Sequence, residues 1–114
     1  MNSCLFCKII TRDIPARIVY EDDDVLAFED ISPKAPVHVL LIPKEHFASL
    51  NDLPEGREAL MGKILSTARR IAGERGIAQT GYRIVLNTAK DSGQEVFHIH
   101  FHLLGGRKMT WPPG

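Results

Sequence analysis

Apolar residues after position 54 recur at three- and four-residue intervals, the spacing of one face of an amphipathic helix. This apolar stripe consists of Leu60, Met61, Ile64, Leu65, Ala68, Ile71 and Ala72. Asn51 or Asp52 is suited to capping the helix and Pro54 to opening it, while Gly73 and Gly76 are suited to ending it. The pattern therefore predicts one long helix in this part of the chain.

Shorter runs of apolar and β-branched residues predict five strands. They cover residues 17–20, 25–29, 37–42, 82–87 and 96–104. Acidic residues 21–24 form the turn between the first two strands, and residues 32–36 form a loop because they contain two prolines. Residues 5–11 are expected to form a short helix. Short links between strands favour an α+β fold with an antiparallel sheet over a Rossmann-type parallel sheet, which needs alternating helical crossovers.

Length and composition limit the kind of protein this is. A chain of 114 residues fits one domain with a real core, so residues 1–114 are expected to form a single domain. Lys plus Arg and Asp plus Glu each number 14, which argues against nucleic acid or an anionic membrane as the main partner. No apolar run approaches the ~20 residues of a membrane span. Without the features of a signal peptide, the chain is expected to be cytoplasmic.

Three of the five histidines alternate along the last predicted strand, at His98, His100 and His102. Alternate side chains of a strand share a face, so the three imidazoles should lie in a row, about 6–7 Å apart. The other face would carry Phe97, Ile99, Phe101 and Leu103. Such a row suits two imidazoles that flank one phosphorus atom. Polar filler on an exposed face and ligation of a catalytic metal are alternative interpretations.

The segment from Asn87 to Gln94 joins the last two strands and offers an amide, hydroxyls and Gly93. Glycine allows the backbone to approach a ligand closely, and neutral donors of this kind can bind phosphate oxygens. Read alone, the segment is only a turn. Beside three histidines, it becomes a candidate phosphate-binding loop.

Residues 93–107, GQEVFHIHFHLLGGR, resemble the His-φ-His-φ-His-φ-φ motif of the histidine triad (HIT) superfamily, and most closely its HINT branch of nucleotide-binding proteins. Residues 30–38 resemble the ribose-side segment of that branch, and residues 111–114 resemble its tail. The resemblance runs from about Phe6 to Gly114. It implies a five-stranded antiparallel sheet with one long helix and a short N-terminal helix. It also implies a homodimer in which the Trp111 tail reaches towards the partner's site.

The resemblance further implies hydrolysis of purine nucleoside phosphoramidates or aminoacyl-adenylates, with release of AMP or GMP and without a catalytic metal. His100 would be the nucleophile that forms a nucleotidyl-imidazole intermediate. His102 would bond the oxygens around phosphorus and assist the leaving group. His98 would support the positions of the other two histidines through its backbone and ring. Many relatives have a small hydroxyl residue at the position of Glu95, where it protonates the departing amine. Glu95 is therefore expected either to act as that acid or to alter which leaving groups are accepted.

By the same resemblance, Asp30 would bind the ribose hydroxyls, and Asn87, Gly93 and Gln94 would contact the phosphate. The remaining nucleotide contacts would come from Phe6, Ile9, Ile14, Phe28, Ile31, Val96 and Trp111. For Ile9 and Ile14, plain core packing is an equally good interpretation. A purine-nucleotide-binding module that acts through protein partners, and a dinucleoside polyphosphate hydrolase, remain alternative functions.

Cys4 and Cys7 form a C-x-x-C pair, for which metal ligation, a redox pair and two inert thiols are all open. Some HIT proteins and the related galactose-1-phosphate uridylyltransferases bind zinc through such a pair, a distant histidine and the first histidine of the triad. The matching residues here are Cys4, Cys7, His46 and His98. Two thiolates and two imidazoles make a closed tetrahedral site, which is suited to a structural zinc ion.

Overall fold

The computed structural model describes residues 3–114, which form two helices and five strands. The elements are α1 (Leu5–Ile10), β1 (Ile18–Glu21), β2 (Val25–Glu29), β3 (Val37–Pro43), α2 (Glu58–Glu74), β4 (Tyr82–Leu86) and β5 (Phe101–Gly105). Single 3₁₀ turns cover Leu50–Asp52 and Lys90–Ser92. This architecture confirms the expected α+β class, with one long helix and one short N-terminal helix.

All five strands belong to one sheet, in the order β1-β2-β3-β5-β4, and every neighbouring pair is antiparallel. β5 lies between β3 and β4, so that His102 is opposite Leu40 on one side and Val85 on the other. The last strand of the sequence is therefore an interior strand of the sheet, where its side chains are held by neighbours on both sides.

The two faces of the sheet bury separate apolar clusters. Helix α2 covers one face with Ile64, Ala68 and Ile71, which pack against strand residues that include Leu41 and Leu103. Helix α1 covers part of the other face, in a cluster of Phe6, Ile9, Leu26, Phe28, Leu40 and Ile42. Burying each large aliphatic side chain contributes about 1.5–3 kcal/mol to the free energy of folding.

None of the helices within residues 3–114 has the length and apolarity needed to cross a membrane.

Helix α2 begins at Glu58, later than the expected start near Pro54. The residues expected to cap it, Asn51 and Asp52, instead belong to a 3₁₀ turn. Ser49 caps that turn by accepting a hydrogen bond from the Asn51 amide at 3.1 Å. The expectation that Asn51 or Asp52 caps the long helix is therefore wrong: Ser49 caps a separate turn, which ends before α2 begins.

The C-terminal end of α2 is set by Gly76, whereas Gly73 lies inside the helix. Gly76 adopts a φ of +73°, which favours glycine. Its amide donates to the Gly73 carbonyl at 3.2 Å, and the Ile77 amide donates to the Ala72 carbonyl at 3.0 Å. This pair of bonds satisfies carbonyls that would otherwise be unpaired at the helix end.

Candidate active site

The three triad histidines lie together, but only His102 belongs to a strand. β5 begins at Phe101, so the expected strand over residues 96–104 is wrong at its N-terminal half. The neighbouring strand β3 ends at Pro43. The segment before β5 bonds instead to the loop that comes after β3: the Ile99 amide donates to the Phe47 carbonyl at 2.8 Å. Ile99, Phe101 and Leu103 are buried as expected, but Phe97 is 58% exposed.

Two backbone carbonyls determine where the protons of His98 and His100 lie. A carbonyl oxygen can only accept a hydrogen bond, so a ring nitrogen that faces one must carry the proton. The Nε2 of His98 is 2.8 Å from the Pro43 carbonyl oxygen, and the Nδ1 of His100 is 2.8 Å from the His98 carbonyl oxygen. In the neutral rings, Nδ1 of His98 and Nε2 of His100 are therefore unprotonated.

Burial keeps these imidazoles neutral. Desolvation lowers the pKa of His98 to about 4 and that of His102 to about 4. The pKa of His100 is also lowered, mainly by burial, although the hydrogen bond to His98 opposes the shift. The rings of His100 and His102 lie close, with their centroids 5.1 Å apart. At neutral pH, the three rings are therefore uncharged, and the unprotonated Nε2 of His100 has a lone pair.

The fourth histidine of the site, His38 on β3, was not among the residues predicted to be functional. Its Nε2 lies 2.9 Å from Nδ1 of His102 and 3.4 Å from the Asp30 carboxylate. Its Nδ1 accepts a hydrogen bond from the Lys34 amide at 3.0 Å. A lone histidine inside the apolar run of β3 is the signal that could have identified it, because a buried imidazole needs polar partners.

An apolar cavity of about 230 Å³ adjoins the histidines and brings together the residues expected to contact the base and ribose. It is lined by Phe6, Ile9, Ile14, Phe28, Asp30, Ile31 and Val96, among others. The edge of the Phe6 ring meets the His100 ring at a centroid distance of 5.0 Å. Ile31 is 96% exposed, so it lies at the rim, where an apolar ligand surface could cover it.

The loop between β4 and β5 is fixed by the buried carboxamide of Gln94. Its oxygen accepts from the Ala89 amide at 2.8 Å, and its nitrogen donates to the carbonyls of Ala48 and Val96 at 2.8 and 3.1 Å. The side chain of Gln94 is thus committed to the backbone. Asn87 directly follows β4, whose last residue, Leu86, is opposite Phe101, the first residue of β5.

Glu95 and Trp111 are both exposed, and neither lines the apolar cavity. Glu95 borders a second cavity, together with Cys4, His46 and Phe97 among others, and Val96 lines both cavities. Trp111 is 80% exposed, and the guanidinium carbon of Arg83 lies 5.8 Å from its ring centroid. The indole is therefore beside the edge strand β4.

The four expected metal ligands meet at the back of the triad, with all their ligand atoms within 4.8 Å of one another. Nδ1 of His98 lies 3.4 Å from Sγ of Cys4 and 3.1 Å from Nδ1 of His46. Cys7 Sγ lies 3.4 Å from Nδ1 of His46. A tetrahedral zinc ion with ordinary bond lengths requires about 3.5 Å between sulfur and nitrogen ligands and about 3.3 Å between two nitrogens. The donor set and its spacing therefore fit zinc.

Comparisons with known proteins extend over nearly the whole chain. A family model described as the HIT domain matches residues 11–109. The purine nucleoside phosphoramidase of Escherichia coli K12 is 50% identical over 105 residues, which are 92% of this chain and 88% of that protein. The crystal structure of a HIT family hydrolase from Legionella pneumophila is 53% identical with a TM-score of 0.96, covering 98% of this chain and 100% of that one. A histidine triad nucleotide-binding protein from Candida albicans is 33% identical with a TM-score of 0.83, covering 96% and 83%.

Proposed function

This chain belongs to the HIT family and is a hydrolase of that family, and we propose that it hydrolyses purine nucleoside phosphoramidates with release of AMP or GMP. Aminoacyl-adenylates are a second proposed substrate class, since they present the same phosphorus to the site. The E. coli relative carries the name of the first activity, and half of its aligned residues are identical to those of this chain. That likeness supports the choice of a phosphoramidate as the principal substrate.

The observation that carries the proposal is the hydrogen bond from Nδ1–H of His100 to the carbonyl of His98. Because the proton is held on Nδ1, the lone pair of Nε2 is available to attack phosphorus without prior removal of a proton. The lowered pKa of His100 keeps the ring uncharged at neutral pH. A neutral imidazole with a fixed orientation is a suitable nucleophile for a covalent mechanism.

The proposed reaction has two displacements. In the first, Nε2 of His100 forms a bond to phosphorus, the bond from phosphorus to the amine nitrogen breaks, and the departing amine takes a proton. Glu95 is proposed to supply that proton, since a carboxylic acid can act as a general acid. In the second, a water oxygen bonds to phosphorus as the bond to Nε2 breaks. The water gives its proton to the Glu95 carboxylate left by the first displacement, and the nucleotide and neutral His100 are released.

The apolar cavity supports a purine as the base. A flat ring can insert beside Phe6 and Phe28, with Ile31 at the rim, and gain from apolar burial. Asp30 lies at the same cavity and is proposed to accept hydrogen bonds from the ribose hydroxyls. Asn87 and the backbone at Gly93 are proposed to contact the phosphate, whereas Gln94 is proposed to act by holding the loop in place.

His100→Asn tests the proposal directly. The variant should bind AMP with an affinity similar to that of the wild type but lose turnover of adenosine phosphoramidate by about 10³-fold or more, because the covalent route is removed. Rapid acid quenching of the wild type, followed by mass spectrometry, should detect a nucleotidyl adduct on the peptide that contains His100. A His100→Asn variant with near wild-type turnover would show that the nucleophile is another group.

We also propose that Cys4, Cys7, His46 and His98 hold a structural zinc ion. Nδ1 of His98 is unprotonated because Nε2 donates to Pro43, so it offers a lone pair to a metal. When bound, zinc would supply a fixed connection between α1 and the segment before β5. The reaction above needs no metal. Because cysteines stay reduced in the cytoplasm and can then bind zinc as thiolates, the proposed zinc site supports a cytoplasmic location for the protein.

A homodimer is proposed from the exposed edge of the sheet. Within residues 3–114, β4 has a single strand partner, β5, so its outer edge can pair with a second copy. The exposed Trp111 lies next to Arg83 of this strand, where a second copy would meet it. Light scattering in solution should give twice the mass of the chain, and a monomer at the concentrations used for turnover would contradict the proposal.

A further inference from the structure

The two cysteines of the chain lie close together at the start of α1. Cys4 is the N-cap residue of this helix, and its Sγ accepts a hydrogen bond from the Cys7 amide at 3.4 Å. Ligand atoms of Cys4, Cys7, His46 and His98 all lie within 4.8 Å of one another, so the two sulfurs are no farther apart than that. Both cysteines are partly exposed, and Cys4 lines a cavity of about 380 Å³. A small oxidant can therefore reach the pair.

A modest shift would join the two sulfurs. Residues three apart on a helix have Cβ atoms about 5–6 Å apart, whereas a disulfide needs about 3.5–4.5 Å between them. Cys4 can supply the difference, because it lies outside the helix with an extended backbone, at a φ of −67° and a ψ of 122°. Since the chain contains two cysteines, this is the one disulfide that can form within it.

Closure of the pair would remove half of the ligands of the proposed zinc site. The thiolate is the form of cysteine that binds a metal, and a disulfide contains none. The ligands left would be His98 and the exposed His46, and two imidazoles do not make a closed four-ligand site. A bridge between residues three apart also connects α1 to nothing outside itself. Oxidation would therefore remove the connection from α1 to the segment before β5.

The two residues between the cysteines belong to the nucleotide cavity. Leu5 and Phe6 both line the apolar cavity proposed for the base. The ring centroid of Phe6 is 5.0 Å from that of His100 and 5.4 Å from that of Phe28. Because α1 has six residues, it depends on tertiary contacts to keep its place. A change at the cysteines is consequently transmitted to the wall of this cavity.

We propose that Cys4 and Cys7 are a peroxide-sensitive pair, and that their closure to a disulfide opens the zinc site and loosens α1 at the nucleotide cavity. Disulfides of cytosolic proteins are usually transient and serve catalysis or redox sensing, which suits such a pair. The disulfide and the loss of metal do not depend on the reaction that the protein catalyses. The effect on nucleotide binding rests on the proposed function.

The oxidation has two steps. The thiolate of Cys4 attacks one oxygen of a hydroperoxide, the O–O bond breaks, and the sulfur becomes a sulfenic acid. The sulfur of Cys7 then bonds to the sulfenic sulfur, the S–O bond breaks, and hydroxide leaves as water. With hydrogen peroxide, two thiolates lose two electrons in total. One peroxide molecule accepts these electrons and two protons from the solvent, and becomes two molecules of water.

A catalyst of disulfide exchange with other proteins is the competing explanation for a C-x-x-C pair. Such a catalyst needs a sulfur that the disulfide of another protein can approach. Here imidazoles crowd both sulfurs: Nδ1 of His98 lies 3.4 Å from Sγ of Cys4 and 3.6 Å from Sγ of Cys7, and Nδ1 of His46 lies 3.4 Å from Sγ of Cys7. This arrangement favours a metal site that opens on oxidation.

Zinc-loaded wild-type protein treated with hydrogen peroxide tests the proposal. Its intact mass, measured after denaturation, should fall by two hydrogen atoms relative to the reduced chain. A chromogenic chelator should detect about one zinc ion released for each disulfide formed, and the Tm should fall. By calorimetry, AMP should bind about 3- to 10-fold more weakly, as expected if α1 is in place in about a third to a tenth of the molecules. Dithiothreitol with added zinc should reverse all four changes.

Two variants are the controls. The same peroxide should leave the Tm and the AMP affinity of Cys4→Ser/Cys7→Ser unchanged, which separates the effect of the pair from oxidation of methionines. Cys7→Ser keeps the thiol of Cys4 but has no second thiol to displace the hydroxide. It should therefore form no disulfide within the chain, and dimedone should trap a sulfenic acid at Cys4.

Oxidation of the wild type to sulfinic acids, or to disulfides between chains, would overturn the proposal. So would purified protein without zinc, or a disulfide that forms while zinc is retained or the Tm is unchanged. If the disulfide forms and zinc leaves but the AMP affinity is unchanged, the link to the nucleotide cavity is wrong. Reduced, zinc-loaded protein that binds no AMP would instead count against the proposed function, and the mass, zinc and Tm readouts would still stand.

Discussion

At the scale of single residues, the histidines of this site are made different by the backbone groups that they meet. The carbonyl of Pro43 places the proton of His98 on Nε2, and the carbonyl of His98 places that of His100 on Nδ1. The amide of Lys34 has the opposite effect on His38, because it donates. Hydrogen bonds to the backbone thus leave a different ring nitrogen unprotonated in each histidine, Nδ1 in His98 and His38 and Nε2 in His100.

Asp30 offers a residue-scale prediction that separates binding from chemistry. Because its carboxylate lines the cavity proposed for the nucleoside and is proposed to contact the ribose, Asp30→Ala should raise KM about tenfold or more and lower kcat much less. Steady-state kinetics with adenosine phosphoramidate and its 2′-deoxy analogue measure this effect. The wild type should discriminate against the deoxy substrate, and the variant should have lost most of that discrimination. Equal discrimination by both proteins would show that Asp30 does not bind the ribose hydroxyls.

At the scale of elements, the loop between β4 and β5 contains a strained residue. Ala89 has a φ of +66° and a ψ of −172°, a conformation that is essentially restricted to glycine and costs an alanine about 1–3 kcal/mol. The hydrogen bonds of Gln94 to Ala89 and to the carbonyls of Ala48 and Val96 hold this geometry. The loop beside His100 is therefore kept in place by tertiary contacts, against its local preference.

Ala89→Gly should consequently stabilise the protein. Release of the strain outweighs the greater freedom of glycine in the unfolded chain, for a net gain of about 1 kcal/mol, or about 4 °C in Tm. Gly93→Ala is the matched control in the same loop: its φ is +87° and an added Cβ would meet no atom within 4 Å, so it should lose about 1 kcal/mol. Urea and thermal unfolding measure both. A destabilised Ala89→Gly variant would show that the backbone at Ala89 is not strained.

The elements also show what local sequence could predict. Periodicity identified most of the face of α2 that is buried, since Leu60, Ile64 and Ala68 all lie in the core, but Leu65 of the predicted stripe is 44% exposed. The start of β5 could not be obtained in this way. Whether residues near Phe97 form a strand depends on β3 ending at Pro43, which is a property of the neighbouring strand and of the loop after it.

The same limit applies to the site. The triad is predicted from its motif and the four metal-ligand candidates from the family resemblance, and the structure brings the four candidates together. His38 carries no motif, and its importance comes from contacts with Lys34 and His102 that exist only after β3 and β5 have paired. Hydrogen bonds that decide a tautomer are tertiary, so the alternation of residues along one strand does not contain them.

At the scale of the whole molecule, the site is assembled from segments that are far apart in the chain. Cys4 meets His98 across 94 residues, and His38 meets His102 across 64. The sheet brings β3 and β5 together, but α1 is a helix of only six residues, which is too short to be stable by itself. Its position depends on apolar contacts of Phe6 and Ile9 and on the cluster of Cys4, Cys7, His46 and His98.

Removing the two thiols therefore tests how the N-terminal segment is held to the active site. Wild-type protein should contain about one zinc ion per chain by elemental analysis, and a Cys4→Ser/Cys7→Ser variant should contain none. Because the free energy of metal binding is also free energy of folding, the variant should have a Tm lower by several degrees or more, and chelation should lower the wild-type Tm to a similar value. The chelator should leave the Tm of the variant unchanged.

Turnover should fall only modestly, since the ion would touch His98 and not the reacting phosphorus. Wild-type protein that is free of metal and fully stable would refute the zinc site, whereas loss of all activity on chelation with an unchanged Tm would point to a metal in the chemistry itself.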